Sequence, residues 1–155
     1  PQLLETLGLP GAIDAVLARV RGAGMAATLE VTPEGLLREP LVSELLPPGV
    51  DHVLFRVIQE ACTSVLRHSE ASRVEVQIRA DAGAIEVTID DDGVGLPAEH
   101  DRVGFGLLGM RERVQAAGGE LRFETSRSAS AERPGLRLIV TVATAPVADR
   151  ARTAP

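Results

Sequence analysis

The sequence predicts an α/β two-layer sandwich, a mixed and mostly antiparallel sheet with helices on one face. Three observations predict it. Val74-Glu75-Val76-Gln77-Ile78-Arg79 and Ile85–Asp90 alternate apolar and polar residues, and Leu136, Leu138, Val140 and Val142 repeat at the same period of two. That period marks strands with one buried face. Residues 10–22 and 51–68 instead repeat apolar residues at helical spacing. The order is helix, strand, helix, two strands, helix, two strands, which suits helices covering one side of a largely antiparallel sheet.

Each element has a local reason. In 10–22, Ile13, Val16, Leu17 and Val20 recur on one face, and Gly22 and Gly24 stop the helix. Thr28–Val31 reads as a strand. Residues 32–49 hold four prolines and several leucines, and predict an irregular connection over part of the core. Asp51 is placed to cap the next helix. In 51–68, Leu54, Val57, Ile58, Ala61, Cys62, Val65 and Leu66 form a broad apolar stripe. Asp81–Gly83 is a hairpin turn between two alternating strands. Residues 93–105 are a loop, and 107–117 a helix ended by Gly118-Gly119. Leu121 and Phe123 begin a strand, Ser126–Pro134 is a polar loop, and Leu136–Val142 is the last strand. The tail 147–155 is expected to be disordered.

Composition excludes several function classes. The 155 residues suit one domain with one core, 45% of them apolar. A net charge of −6 argues against bulk nucleic-acid binding, which needs a basic surface. Three Phe, with no Trp or Tyr, leave little for stacking bases on aromatic rings. No apolar run is long enough to span a membrane, and the first residues do not read as a signal peptide. The single Cys62 forbids an internal disulfide and fits a reducing cytosol.

The chemistry concentrates in two segments, Asp90-Asp91-Asp92-Gly93-Val94-Gly95 and Gly104-Phe105-Gly106-Leu107-Leu108-Gly109-Met110-Arg111-Glu112-Arg113. A carboxylate ending a strand can accept the exocyclic amine of a base. Glycines let backbone amides approach phosphates, and a helix N-terminus favours their charge. An acidic turn alone is the bland alternative. Calcium is a poor fit, because an EF-hand alternates its acidic ligands and these aspartates are contiguous. A third feature lies on the 51–68 helix. Glu60, Ser64 and His68 stand four apart beside Arg67, and so share one face. That face is either simply solvated or turned toward phosphates and a metal ion.

In combination these segments resemble the catalytic, ATP-binding domain of two-component sensor histidine kinases, in the subgroup paired with LuxR- or NarL-type response regulators. Phe55–His68 resembles the N box of that family, Asp91–Gly95 its first glycine box, and Gly104–Arg113 its second. Gly118-Gly119-Glu120-Leu121 and Leu7-Gly8-Leu9 also fit. The resemblance implies the Bergerat fold over 9–146, with 1–8 the end of an upstream linker. It implies ATP and Mg²⁺ as cofactors. Asp91 would accept the adenine amine, and Gly93 and Gly95 would let the backbone approach the base. Residues 96–103 would form a lid. Gly104, Gly106 and the amides from Leu107 onward would hold phosphates. Glu60 would lie by the metal and the γ-phosphate as the catalytic carboxylate, with Ser64 as second metal ligand and Arg67 and His68 facing the phosphates.

The chain departs from the family pattern in three places. Ser64 stands where the family has a metal-binding Asn. Gly135-Leu136 replaces a Gly-Thr near the base, after a loop longer than usual. None of His52, His68 and His100 lies in a Glu-Leu-His-Asp-like phosphoacceptor motif. The expected function is the ATP-binding part of a sensor histidine kinase, passing the γ-phosphate to a histidine on a separate dimerisation helix. The expected partners are that helix domain and a LuxR/NarL-type regulator, without nucleic acid. The isolated domain is expected to be monomeric and cytoplasmic, either free or as the cytosolic part of a membrane sensor. The alternatives are a degenerate domain that binds nucleotide weakly, and an anti-sigma-type serine kinase.

Overall fold

A computed structural model describes residues 2–96 and 106–145, apart from the side chains of His68, Leu107 and Leu108. Five strands form one sheet: β1 (Ala26–Thr32), β2 (Arg73–Asp81), β3 (Ala84–Asp91), β4 (Glu120–Glu124) and β5 (Leu136–Ala143). Their order is β1-β2-β3-β5-β4. β1 runs parallel to β2, and the other three pairings are antiparallel. This is the mixed, mostly antiparallel sheet expected. Four helices accompany it among the described residues: α1 (Gln2–Gly22), α2 (Leu41–Leu45), α3 (Val50–His68) and α4 (Leu107–Ala116).

The alternation of the strands decides which face is covered. Val74, Val76, Ile78, Ile85, Val87, Ile89, Leu138, Val140 and Val142 are buried in one core with α1 and α3 residues. From α3 that core takes Leu54, Phe55, Val57, Ile58, Ala61, Cys62 and Val65. Each large side chain among them stabilises the fold by about 1.5–3 kcal/mol relative to exposure. On the other face, Glu75, Gln77 and Glu86 are half-buried and Arg79, Arg122 and Glu124 are exposed. Thr88 and Asp90 belong to that polar face by alternation, yet each is only 3% exposed.

Several boundaries differ from the sequence reading. α1 starts at Gln2 rather than residue 10, and is interrupted at Gly8 (φ 69°, ψ 175°). Leu4 and Leu9, on either side of the break, are both buried, so packing extends the helix past its periodic stretch. The connection 32–49 is not wholly irregular, because α2 forms within it and buries Val42. Asp51 does not cap α3. Gly49, in the left-handed conformation, precedes the helix, and the Asp51 carboxylate accepts the His52 amide instead. The hairpin β2–β3 turns on Ala82 and Gly83, both at positive φ (43° and 85°). That matches the right-handed twist of the strands but strains an alanine. The tail 147–155 and all of the lid 96–103 but Leu96 lie outside the described residues.

Candidate functional site

Asp91 ends β3 on the core face, in line with Ile89 and Val87, and is 3% exposed. Its Oδ1 accepts the Gly93 amide at 2.9 Å. Burial pushes its carboxyl up to about 6, the charges of Asp90 and Asp92 add to the rise, and the backbone amides of Gly93 and Leu136 oppose it. At pH 7 it is therefore mostly ionised. A carboxylate has room for about four hydrogen bonds, so these two amides leave capacity for another donor.

Asp92 has a different role. Its carboxylate accepts the Ser72 and Arg73 amides at 2.8 and 2.9 Å, and the Ser72 hydroxyl. Burial alone would raise its carboxyl, but the bonds from Ser72 and Arg73 outweigh burial and hold it low. Asp92 thus fastens the start of β2, and Asp91 is the acidic side chain that faces inward.

The turn after Asp91 is glycine-rich because protein crowds it. A Cβ on Gly93 would overlap the Ser69 carbonyl oxygen, which accepts the Val94 amide at 2.8 Å. Gly95 adopts φ +86°, and a Cβ there would meet Pro134 Cγ at 2.9 Å. The Gly135 amide donates to the Gly93 carbonyl at 2.9 Å. The end of α3, the turn after β3 and the start of β5 are thereby locked together.

The second half of the site lies where α4 begins. Gly106 precedes α4 with φ +69°, and a Cβ on it would stand 3.5 Å from Glu60 Oε2. The amides of Leu107, Leu108 and Gly109 have no partner within the helix, and no acidic side chain occupies its first turn. Such an end attracts anions. Glu60, midway along α3, is gripped from two sides. Arg113 Nη1 lies 2.9 Å from its Oε1, and Arg56 Nη2 lies 3.6 Å from the same oxygen. Ser64 is half-buried one turn further along α3, and Arg67 is exposed. His68 ends α3 and Leu107 opens α4, their side chains outside the description; Gly104 lies outside the described residues altogether.

The structure thus brings Glu60 beside Gly106, Gly93 to the end of α3 at Ser69, and Asp91 and Gly95 against Pro134-Gly135 before β5. No role was assigned from sequence to Arg113, Arg56 or Asp90. Arg113 stood within the quoted motif, but its partner is 53 residues away in the chain, and spacing carries no signal of that. Among the described residues no group of three or more His, Cys, Asp or Glu could hold a metal ion. Glu60 and Ser64 are only two candidate ligand side chains, and Oε1 of Glu60 is already paired with Arg56 and Arg113. A cleft of about 700 Å³ opens elsewhere, lined by Leu4, Leu9, Val42, Leu46, Asp51 and His52 among others, and includes none of the expected site residues.

Residues 49–147 match the family described as histidine kinase-, DNA gyrase B- and HSP90-like ATPases. The chain belongs to this family. Within it, the chain is 42% identical over 83 residues to the sensor histidine kinase YxjM of Bacillus subtilis, covering 54% of this chain and 20% of that protein. It is 39% identical over 139 residues to the signal transduction histidine-protein kinase/phosphatase UhpB of Salmonella typhimurium, covering 77% of this chain and 27% of that protein. The chain therefore spans about a quarter or less of these relatives. The fold is similar to that of the mycobacterial sensor histidine kinase MprB, at 24% identity and a TM-score of 0.64, over 88% of this chain and 94% of that one. It is also similar to the catalytic domain of the histidine kinase ThkA, at 15% identity and a TM-score of 0.65, over 89% and 95% of the two chains.

Proposed function

We propose that this chain is the ATP-binding catalytic domain of a sensor histidine kinase, and that it presents the γ-phosphate of ATP to a histidine on a separate dimerisation helix. One observation carries the reading. A buried, inward-facing carboxylate, Asp91, ends a strand beside a glycine turn, in a chain of the ATPase family whose α4 N-terminus opens beside Glu60. Asp91 accepts the adenine amine. Gly104, Gly106 and the Leu107 amide hold phosphates, and the family resemblance assigns Arg67 and His68 to the same phosphates. Phosphoryl transfer asks mainly for positioning and neutralisation of charge, and these groups supply both. Glu60 and Ser64 are the residues that would hold Mg²⁺, Glu60 only once released from Arg56 and Arg113, and the ion would supply counter-charge to the phosphates. The Gly-Leu-x-Gly-Met-x-Glu-Arg form of residues 106–113 supports a LuxR/NarL-type regulator as downstream partner, and the cytosol as the place of action.

The test has two arms. Calorimetric titration of the chain with ATP and GTP should show preference for ATP, because guanine presents an acceptor where adenine presents a donor. The intact protein should then label a histidine on its dimerisation helix from ATP. Equal binding of both nucleotides would sink the base assignment, and binding without any transfer would sink the kinase. The second outcome is what a degenerate domain would give, a reading favoured by Ser64 and by the capture of Glu60 between two guanidinium groups.

A further inference from the structure

The polar loop Ser126–Pro134 joins β4 to β5, and a loop of this length on a surface is ordinarily loosely held. Here it is tied at several points. Its base closes with the Ser126 amide donating to the Pro134 carbonyl at 2.9 Å. Its far side is fastened by Arg133, which donates through both Nη1 and Nη2 to the Glu70 carbonyl just after α3. Arg73 Nη2 donates to the Ser128 hydroxyl at 2.7 Å.

Beneath the loop lies a buried charge. Asp90 and Arg137 are cross-strand partners, 3% and 7% exposed, with Arg137 Nη1 at 3.5 Å from Asp90 Oδ2. The Ser126 hydroxyl donates to Asp90 Oδ1, and the Arg127 amide donates to Oδ2 at 3.1 Å. A buried carboxylate without partners is costly, so Asp90 holds the loop as firmly as the loop satisfies Asp90. Asp90 faces away from the core while its neighbour Asp91 faces in. The loop end then packs on the Asp91 side. A Cβ on Gly135 would overlap the Asp91 carbonyl oxygen, and would meet Ser126 Cβ at 2.5 Å. Pro134 and the Gly135 carbonyl bound Gly95.

We infer that Asp90, with Ser126 and Arg137, is a positioning group for the base. It anchors the Ser126–Pro134 loop against the Asp91–Gly95 turn, and so sets the distance at which Asp91 meets an adenine amine. The inference rests on the nucleotide reading above. The loop thereby contributes to base selection. Leu136 offers no polar side chain to the base, so specificity depends on how rigidly Asp91 is placed.

The test compares wild type with Ser126→Ala, which removes a single oxygen, and with Asp90→Asn, which sets an amide donor against the donors of Arg127 or Arg137. Titrations with ATP and with GTP are run beside hydrogen exchange of the Gly93 amide. Ser126→Ala should weaken ATP about tenfold, because Asp91 is no longer held at its distance from the amine, while GTP changes less than about twofold. Gly93 exchange should quicken, and the thermal midpoint should fall by a few degrees because a buried carboxylate loses a donor. Asp90→Asn should do the same more strongly. If ATP and GTP weaken in parallel, or if ATP binding and Gly93 exchange stay as in wild type, the positioning role is overturned while the nucleotide site stands. A wild type that binds no ATP overturns the nucleotide reading and this inference with it.

Discussion

Arg113 of α4 and Glu60 of α3 form an ion pair at 2.9 Å, beside the glycine that opens α4. Glu60 therefore presents little net charge toward Gly106, where the proposed function puts a phosphate. The pair is partly open to solvent, with side chains 42% and 27% exposed, so its share of stability is at most about 1 kcal/mol. Its effect on binding is larger. Arg113→Met leaves a carboxylate facing phosphates, and metal-free ATP binding should weaken roughly tenfold for a screened repulsion of about 1.4 kcal/mol. Adding Glu60→Gln should recover most of the loss. An equal loss with and without Mg²⁺, unrelieved by Glu60→Gln, would refute the charge argument.

Asp91 carries a prediction of opposite signs for stability and binding. Its carboxyl lies at about 6 when folded against an ordinary 3.8. Between those values the folded protein keeps a proton that the unfolded chain has released, so stability falls as pH rises from about 4 to about 6 and the cost persists above that. A shift of two pK units corresponds to about 3 kcal/mol at most. Asp91→Asn should therefore be more stable at pH 7.5, by roughly 1–3 kcal/mol, with the advantage vanishing below about pH 4. The same change should abolish preference for ATP. In wild type, ATP binding should weaken below about pH 6 by up to roughly tenfold per unit. Denaturation and titration series across pH measure both; a less stable Asp91→Asn at neutral pH would contradict the account.

Ser64 offers a short hydroxyl one helical turn from Glu60. Mg²⁺ demands oxygen ligands in near-ideal geometry, and a longer carbonyl oxygen would reach further from α3. ATP binding by wild type should depend little on Mg²⁺, and Ser64→Asn should increase that dependence. Tight, strictly Mg²⁺-dependent binding by wild type, unimproved in Ser64→Asn, would show that Ser64 is no defect.

Ala82 sits at φ 43° in the β2–β3 turn, ahead of Gly83. Asparagine tolerates this region better than alanine, so Ala82→Asn should stabilise the protein by about 1 kcal/mol and leave ATP binding alone. Thermal unfolding reads the change, and a lower midpoint would show that the turn is not strained.

The sequence alone determined the sheet strands, the order of elements apart from α2, and the residues that pair chemistry with glycine. Those features are local. Alternation at Val74–Arg79 and Ile85–Asp90 fixes which side chains face the core, and the apolar stripe on α3 fixes which side of that helix they meet. Asp91 was legible through the resemblance of Asp91–Gly95 to a glycine box, and the structure places it in the inward register of Ile89. Other features were decided by contacts between distant segments. Nothing near Gly8 in the chain says that Leu4 would be buried and the helix carried back to Gln2. Nothing near Asp51 says that Gly49 would open α3 without a side-chain cap. The glycines at 93 and 135 were visible, but their need comes from Ser69 and from Asp91 itself pressing against them. The division of labour among Asp90, Asp91 and Asp92 was hidden for the same reason. Three identical side chains in a row differ only in what the fold sets opposite them: Ser126 and Arg137 for Asp90, the Gly93 amide for Asp91, and Ser72 for Asp92.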